Sequence, residues 1–433
     1  MSEFDGRLKG RGAAASRGPL AGRGVLILVE NLPVPFDRRV WQEAQALRDA
    51  GARVSVICPV GKGCEALRET IEGIEIYRHP LPVEARRARD YIREYSAALW
   101  RQLRLSFKVR REQGFDVVQA CNPPDLLFLV ALVHKLFGGR RFVFDHHDLS
   151  PELFESKFER RGPLHAAMRF FERMSFRCAD ASIATNETFK RIAVERGGMD
   201  PDRVFVVKSY PPIERFRRVA PDPELRAWKP VLAGYVGIMA RQDGVDHLVR
   251  AMGRLRDLGR DDIGCVIIGE GPELDALRRL SAEMGLEDRI RFTGYLRGER
   301  LLSHLSALDI GVIPDPKSAF NDKLSMNKVF EYMMLGLPIV QYDLTQAGFE
   351  ADGAALVARP CAPEAMADAI AALADDPERR RRMGALGRAK AEAEFRWENE
   401  AARLVEAYQA ALDLPRGGVR SASAGKPLRE AAE

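Results

Sequence analysis

The sequence predicts an α/β protein made of two doubly wound domains in tandem, with the strand edges of both facing one cleft. Three observations predict this. Short apolar, β-branched runs alternate with amphipathic helical stretches, the pattern of parallel strands joined by crossover helices. The alternation breaks once, at a proline- and charge-rich stretch, and then starts again. A chain of 433 residues also exceeds what one core organises, so two domains of roughly 200 residues each are expected.

The first half supplies its elements in order. "GVLILVE" (24–30) reads as a strand and "DRRVWQEAQALRDAG" (37–51) as a helix stopped by Gly51. "RVSVICP" (53–59), "DVVQAC" (116–121), "RFVFDHHD" (141–148), "ASIAT" and "RVFVVKSYPP" follow as strands, with helices between them. Residues 24–212 are thus expected to form an N-terminal Rossmann-like domain. "IERFRRVAPDPELRAWK" (213–229) reads as a linker. Beyond it the pattern restarts with "VLAGYVG" (231–237), the helix "GVDHLVRAMGRLRDLG" (244–259) and "IGCVIIGEGP" (263–272). The helix "ELDALRRLSAEMG", then "IRFTGYL" (290–296), "DIGVIP" (309–314) and "LPIVQYD" (337–343), complete a second Rossmann-like domain over 230–395. The helix within 396–413 is amphipathic and is expected to pack back across the domains. The tails, 1–23 and 414–433, are rich in Gly, Ala, Arg and Ser without a period and are expected to be disordered.

Composition excludes several classes. The formal charge is +5, of which residues 1–23 carry +3 and 416–433 carry +2. The body is therefore about neutral and gives no basis for nucleic-acid binding. The six cysteines lie far apart without a C-x-x-C pair, so neither a zinc site nor a disulfide framework is expected, and free thiols fit a reducing cytoplasm. "MSEFDGRLKGRGAAASRG" has no apolar segment of the kind a signal peptide needs. The best apolar run, Leu126 to Val133, falls far short of the ~20 residues of a spanning helix.

Ligands of doubly wound sheets bind beyond the carboxyl ends of the strands, so polar residues there carry the functional reading. No G-x-G-x-x-G follows the first strand and no Walker A sequence is present, which removes the usual anchors of dinucleotide and P-loop sites. "GEGPEL" (269–274) ends a strand and opens a helix. Its glycines permit close backbone approach and the helix start attracts an anion, although a plain strand-to-helix turn has the same sequence. In "FDHHDLSPE" (144–152), Asp145, His146, His147 and Asp148 cluster where a ligand would lie. The alternative is a capping aspartate beside a satisfied histidine; a zinc site lacks a third spaced ligand. "NDKLSMNKVFEYMMLGLPIV" (321–340) carries Glu331 into an otherwise apolar helix. A carboxylate accepts two hydrogen bonds from a vicinal diol, such as that of ribose. The alternative partner is Lys328, three residues earlier on the same face.

Taken together, "DRRVWQEAQALRDAGARVSVICP", "CNPPDLLFLVA", "FDHHDLSPE", "YVGIMARQDGVDHLVRA", "IGEGPELDALRRL", "RFTGYL" and "MNKVFEYMMLGLPIV" resemble the family 4 retaining glycosyltransferases of GT-B fold, two Rossmann-like doubly wound domains facing a cleft. Order and spacing match over about residues 24–412, and "VFEYMMLGLPIV" is the most specific piece. The similarity is to bacterial enzymes of surface-polysaccharide or glycoconjugate assembly. The resemblance implies that Glu331, the second glutamate of an E-x7-E motif, holds the ribose of a nucleotide. It implies that His147 and Asp148 are the family's His-Asp pair near the reacting sugar. Gly269, Glu270 and Gly271 match the turn beside the nucleotide, and Thr293, Gly294 and Tyr295 the segment facing the base. Gly237 and Asn327 join this donor-binding set. The loop from Asn31 through Arg38 and Arg39, with Asp145 and His146, is placed on the acceptor side.

Three positions depart from the family pattern. The first glutamate of E-x7-E is replaced by Lys323, and the usual arginine and lysine that grip the donor diphosphate are replaced by Ile238 and Asp243. Charge growing on a leaving diphosphate still needs stabilisation. Arg241, Lys323 and Lys328 are the local cations expected to supply it, with Lys328 first as a catalytic residue beside His147 and Asp148. Asp243 is expected to meet a sugar hydroxyl or to cap the following helix.

The expected reaction is transfer of a sugar from a nucleotide-diphosphate sugar, UDP by default, to a saccharide or polyprenyl-linked acceptor. Configuration is retained, and neither a metal nor a further cofactor is expected. Two rivals stand beside this reading: a sugar-nucleotide epimerase of the same shape, and a non-catalytic nucleotide-sugar-binding subunit that lost its phosphate grip. Residues 86–111 hold nine basic and two acidic side chains. Tyr91, Tyr95, Leu99 and Leu103 recur every fourth residue there, which suits the surface of an anionic membrane; the alternative is a core-facing helix with a solvated basic back. The protein is thus expected in the cytoplasm, peripheral on the inner face of the plasma membrane, without nucleic-acid partners.

Overall fold

The computed structural model describes residues 18–80, 88–158 and 161–414, with backbone alone at 88–95 and 157–158. It divides into two compact units. The first contains the described residues of 1–150, 162–207 and 399–433, and the second those of 151–161 and 208–398.

Along the first part of the chain run β1 (Gly24–Leu28), α1 (Arg38–Asp49), β2 (Arg53–Pro59), β3 (Arg68–Ile71), β4 (Ile74–His79), α2 (Ala88–Glu112), β5 (Val117–Cys121), α3 (Phe128–Gly138), β6 (Arg141–His146), α4 (Ser150–Phe158), α5 (Pro163–Cys178), β7 (Ala181–Ala184), α6 (Glu187–Glu195) and β8 (Val204–Val206). The eight strands form one sheet in the order β3-β4-β2-β1-β5-β6-β7-β8. Neighbours are parallel except β3, which pairs antiparallel with β4. This hairpin is not among the strands expected from sequence. Its turn holds Glu72 and Gly73 at φ of 49° and 80°, the left-handed pair whose twist matches two antiparallel strands. The strand order reverses direction between β1 and β5, so the ligand edge of this unit lies at the carboxyl ends of β1, β5 and β6.

The second unit runs α7 (Pro223–Trp228), β9 (Val231–Val236), α8 (Val245–Asp257), β10 (Ile263–Ile268), α9 (Leu274–Glu283), β11 (Ile290–Gly294), α10 (Gly298–Ser306), β12 (Ile310–Ile313), α11 (Asn327–Met334), β13 (Ile339–Tyr342), α12 (Thr345–Glu350), β14 (Ala355–Ala358), α13 (Pro363–Asp375) and α14 (Pro377–Glu394). Its six strands are parallel, in the order β11-β10-β9-β12-β13-β14. Strand periodicity divides the side chains between two cores. Val231, Ala233 and Tyr235 point to one face, and Leu232 and Val236 to the other. Both faces are covered, which is why these strands read as unbroken apolar runs. The reversal lies between β9 and β12. The last helix, α15 (Trp397–Leu412), belongs to the first unit from Asn399 onward.

Several expected boundaries are corrected. The stretch 213–229 is not a free linker: it contains α7, whose start is capped by Asp222 accepting from Glu224 and Leu225, and it buries Phe216 and Leu225 in the second core. Apolar residues spaced between prolines pack even where composition reads as a connector. The second unit accordingly begins at Lys208, and residues 151–161 cluster with it rather than with the N-terminal unit. Of the expected tail 1–23, residues 18–23 are ordered, with Leu20 buried and its amide donating to Ala50 at 2.9 Å. Residues 1–17 and 415–433 lie outside the described residues. The helix expected to pack across the domains has its described residues from Asn399 on within the first unit.

The amphipathic segment 86–111 is the helix α2. The side chains of Tyr91 and Tyr95 lie outside the described residues. Beyond them Ala98, Gln102, Ser106 and Val109 are buried, while Leu99 and Leu103 are half-buried. The solvent side carries Trp100, 66% exposed, and Phe107, 46% exposed, among Arg104, Lys108 and Arg111. The exposed aromatic face is thus a different stripe from the one that spacing selects.

Candidate active site

Each unit gathers polar residues at the carboxyl edge of its sheet. In the second unit, three strand-to-helix loops are sewn together through their backbones. Gly237 N–H donates to Ile268 O (3.0 Å), Met239 N–H to Glu270 O (2.9 Å), Gly269 N–H to Gly294 O (3.0 Å) and Glu273 N–H to Met239 O (3.0 Å). This approach demands glycine. A Cβ on Gly269, where φ is +136°, would lie 1.9 Å from Gly237 O, and one on Gly271 would lie 2.3 Å from Met239 O. The sequence thus places Gly237, Gly269, Gly271 and Gly294 in one surface. Glu270 and Tyr295 are exposed on it, and Thr293 Oγ1 donates to Gly294 O at 2.9 Å.

Across the strand reversal, β12 is followed by Pro314 and Asp315, and α11 comes next. Val329, Phe330, Tyr332, Met333 and Met334 are buried, so the helix is apolar nearly all round. Tyr332 fixes its position: the hydroxyl accepts from Val236 N–H at 3.0 Å and donates to Gly234 O at 3.2 Å. Glu331 is the adjacent residue and is 7% exposed. Isolating even a neutral polar group from water costs roughly 2–7 kcal/mol unless a partner meets it, and an ionised carboxylate costs more. Asn327 is exposed at the helix start.

The expected cations are not free. Lys328 Nζ sits 2.7 Å from Asp315 Oδ2 and 4.9 Å from the centroid of the Tyr235 ring. Its partner is therefore Asp315, not Glu331. Burial holds the Asp315 carboxyl above its ordinary range, although Lys328 pulls the other way. Lys323 Nζ lies 3.0 Å from Glu152 Oε1, a residue of the segment that clusters with this unit. Ile238 is 65% exposed. Asp243 caps a short turn, its Oδ2 accepting from Ala240 N–H at 3.0 Å. Arg241 is exposed in the same turn, which Asn321 ties to the following loop by donating to Gln242 O and Pro316 O, each at 2.8 Å.

In the first unit the edge is built from buried charge. Asp145 at the end of β6 is fully buried and accepts from Arg39 Nη2 at 2.9 Å, Gln119 Nε2 at 2.9 Å and His147 Nε2 at 2.5 Å. Arg39 Nε also lies 3.0 Å from Glu43 Oε1, and Arg39 Nη1 donates to Val207 O at 2.9 Å. Gln119 Nε2 bridges to Glu43 Oε2 at 2.7 Å, and its Oε1 accepts from the Tyr408 hydroxyl. Two carboxylates in one buried site cannot ionise alike. Burial and the Asp145 charge push Glu43 well above the carboxylate range. For Asp145 the burial penalty is overcome by Arg39 and His147, which hold it well below that range. Burial alone would lower His147, but Asp145 outweighs it and favours the imidazolium. Asn122 holds the backbone here, accepting from His147 N–H at 2.7 Å and Asp148 N–H at 3.2 Å, while donating to Asp148 O at 2.7 Å.

Some assignments to the acceptor side are corrected by this geometry. Arg39 and Asp145 spend their polar atoms on each other and on Glu43, Gln119 and His147. His146 is fully buried on the opposite side of β6, among the rings of Phe144, Phe176 and Phe189, with Glu172 at 3.6 Å. Successive strand residues face opposite ways, so His146 points away from Asp145, while His147, just past the strand, turns back to Asp145; the two histidines do not serve one edge together. Asn31 and Arg38 are exposed, and His147 and Asp148 are half-buried at the edge. Cys121, Asp145 and His147 bring ligand-type atoms within 4.8 Å of one another. The donor set does not suit a metal ion: Asp145 is saturated, and burial keeps Cys121 a thiol. Sequence reasoning missed Glu43, Gln119, Asn122, Asp315 and Tyr408. Gln119 was detectable as a polar residue inside an apolar strand, and Asp315 as an acid at a strand end.

The comparisons with known proteins agree with this architecture. A family profile described as "Glycosyl transferase 4-like domain" matches residues 37–209, and one described as "Glycosyl transferases group 1" matches 230–376. The chain belongs to the family 4 glycosyltransferases of GT-B fold. It is similar to the 2-deoxystreptamine glucosyltransferase of Streptomyces kanamyceticus, 26% identical over 70% of this chain and 80% of that one. It is 33% identical to the D-inositol 3-phosphate glycosyltransferase of Nocardia farcinica, over 57% of this chain and only 56% of that enzyme. Among solved structures, sucrose-phosphate synthase from Thermosynechococcus elongatus superposes with a TM-score of 0.73 at 18% identity, over 89% of this chain and 98% of that one. A glycosyltransferase involved in lipopolysaccharide biosynthesis gives 0.65 at 15% identity, over 88% and 98%. At these identities the superpositions speak for the fold alone. No described helix is long and apolar enough to cross a membrane.

Proposed function

We propose that this glycosyltransferase moves a sugar from a nucleotide-diphosphate donor, bound against the second unit, to a hydroxyl of an acceptor bound against the first, with retention of configuration and without a metal. The observation that carries the donor assignment is Glu331, a carboxylate 7% exposed in an otherwise apolar helix just beyond the strand reversal, at the position that matches the family's ribose-binding glutamate. His147, whose imidazolium Asp145 favours, steadies sugar hydroxyls or the departing diphosphate, which takes the acceptor's proton. Lys328 remains the cation proposed for the diphosphate. A phosphate oxygen would compete with Asp315, whose raised carboxyl protonates more readily than an ordinary one and so releases the lysine.

The test is a thermal-shift screen with UDP-, GDP- and dTDP-sugars on the protein and on Glu331→Ala. One nucleotide should stabilise the wild type, by about 3 kcal/mol at a hundredfold excess over Kd, and leave the variant unmoved. Equal shifts in both proteins would remove Glu331 from the pocket. Turnover is then followed with the selected donor, with an acceptor-free control that should yield no sugar-nucleotide product. Lipid-linked saccharides head the acceptor panel. The names of the relatives add 2-deoxystreptamine and inositol 3-phosphate, both small polyhydroxylated rings.

The acceptor assignment extends to an anionic membrane surface. Trp100 and Phe107 on α2 are joined by Leu136 and Phe137 on α3, 68% and 78% exposed. The two helices meet where the Phe107 ring lies 4.9 Å from that of His134. Exposed Arg104, Lys108 and Arg111 interleave with the aromatics. Flotation with vesicles containing anionic lipid should recover the protein, and Trp100→Ser with Phe137→Ser should reduce recovery severalfold. Equal recovery with neutral vesicles would argue against charge as the attraction.

A further inference from the structure

The buried network of the first unit reaches one side chain that stands far from the rest in sequence. Tyr408 lies on α15, 289 residues beyond Gln119, and its hydroxyl donates to Gln119 Oε1. Gln119 Nε2 donates both to Glu43 Oε2 at 2.7 Å and to Asp145 Oδ2 at 2.9 Å. An amide has one donating and one accepting end. Facing the ionised Asp145, it must present its NH2, and its oxygen then requires a donor. Tyr408 supplies that donor, and burial beside Glu43, Cys121 and Asp145 keeps its hydroxyl protonated. Asp145 Oδ2, the atom that Gln119 holds, is the same atom that His147 Nε2 touches.

We propose that Tyr408 is a positioning residue for His147: its hydroxyl fixes the Gln119 amide, whose NH2 locks Asp145 against the imidazole, so that the C-terminal helix completes the catalytic edge of the N-terminal unit. The groups facing His147 are Asp145 from β6 and Arg39 and Glu43 from α1, with Cys121 of β5 at 3.6 Å from the same Asp145 oxygen. Removing the hydroxyl leaves Gln119 Oε1 buried without its donor, so the amide shifts to recover a partner and its NH2 loosens from Asp145 Oδ2. The role in transfer rests on the reading of His147 given above; the effect on the ring itself does not.

The experiment titrates His147 by NMR of 15N-histidine-labelled full-length protein, its resonance assigned with His147→Gln. Tyr408→Phe, which removes one oxygen from a buried site, should lower the His147 midpoint by about half a pH unit or more. With the donor found above, kcat should fall about fivefold, the worth of one hydrogen bond, while donor KM stays within about twofold. Leu404→Ala is the control for loosened packing: Leu404 is fully buried on the same helix and outside the network. It should lower Tm and leave the His147 midpoint unchanged. A Tyr408→Phe midpoint equal to wild type overturns the proposal, as does an equal displacement in both variants. If the wild type transfers no sugar, the functional reading fails, and the titration still decides whether Tyr408 positions the ring.

Discussion

Set side by side, the carboxyl edges of the two sheets are organised by different means. At the first, one half-buried histidine is oriented by a chain of charged and amide side chains drawn from β5, β6, α1 and α15. At the second, three loops are shaped by backbone hydrogen bonds between glycine-rich turns, and the buried ion pair packed on Tyr235, Lys328 with Asp315, neutralises itself. The difference has a physical reason. A group that must present a defined protonation state needs fixed counter-charges, which only side chains supply. A surface that must approach a flat, polar ligand closely needs the absence of side chains, which glycine supplies. The first edge is thus sensitive to single charges, and the second to single methyl groups.

The sharpest way to break this comparison is Asp145→Asn. It takes from buried Arg39 one of its two carboxyl partners and leaves only Glu43, so the loss of stability should approach the roughly 3–5 kcal/mol that breaking a buried pair costs. It also removes the anion that favours the His147 imidazolium, so kcat should fall roughly a hundredfold or more while donor affinity, proposed to reside in the other unit, should stay within twofold. Chemical denaturation and isothermal calorimetry with the donor nucleotide check the two halves separately. A large loss of nucleotide affinity would show that the two edges are not independent.

The matching change at the second edge is Gly269→Ala. The added methyl meets Gly237 O, and alanine is strained at the φ of +136° found there. Together these should cost about 2–3 kcal/mol of stability and at least tenfold in donor affinity. The His147 titration should not move. Unchanged nucleotide binding would mean that the glycine loops serve folding rather than the ligand.

The same contrast governs what the sequence discloses. Glycine turns are local: "GEGP" and the "YVG" strand end are contiguous strings, and the structure brings them together as the alternation of strands and helices implies. Glu331 was conspicuous because charge inside an apolar helix is rare. The charged network is not local. Arg39 and Glu43 stand one turn apart on α1, but nothing in the string links them to Gln119 or Tyr408, because pairing across a sheet is fixed by strand order, which spacing does not determine. The adjacent histidines show a further limit. Alternation predicts that His146 and His147 face opposite ways, but the string does not say which faces the ligand. Charge counting likewise proposed Lys323 and Lys328 as phosphate cations without seeing that Glu152 and Asp315 already neutralise them.

The smallest effect expected is a difference in acid sensitivity. His134 on α3 is fully buried between the rings of Phe107 and Phe115, and its Nε2 lies 2.7 Å from Ser106 Oγ. Burial, with the nearby charges of Arg110 and Arg140, lowers its pKa from 6.5 to about 4. The folded state therefore favours the neutral ring. Its contribution to stability is complete above the unfolded pKa of about 6.5 and is lost as pH falls through about 4. Below pH 6.5 the unfolded chain binds a proton that the folded ring resists, so stability falls with pH. His134→Gln keeps a polar group opposite Ser106 and removes the titration. Its Tm should be lower than wild type at pH 7, and it should lose about 2 °C less between pH 7 and pH 4.5. Equal slopes in the two proteins would place the acid sensitivity elsewhere. Loss of anionic-vesicle recovery in the variant at pH 7 would show instead that His134 supports the exposed Phe107 face, tying the stability of this helical layer to the surface proposed to meet a membrane.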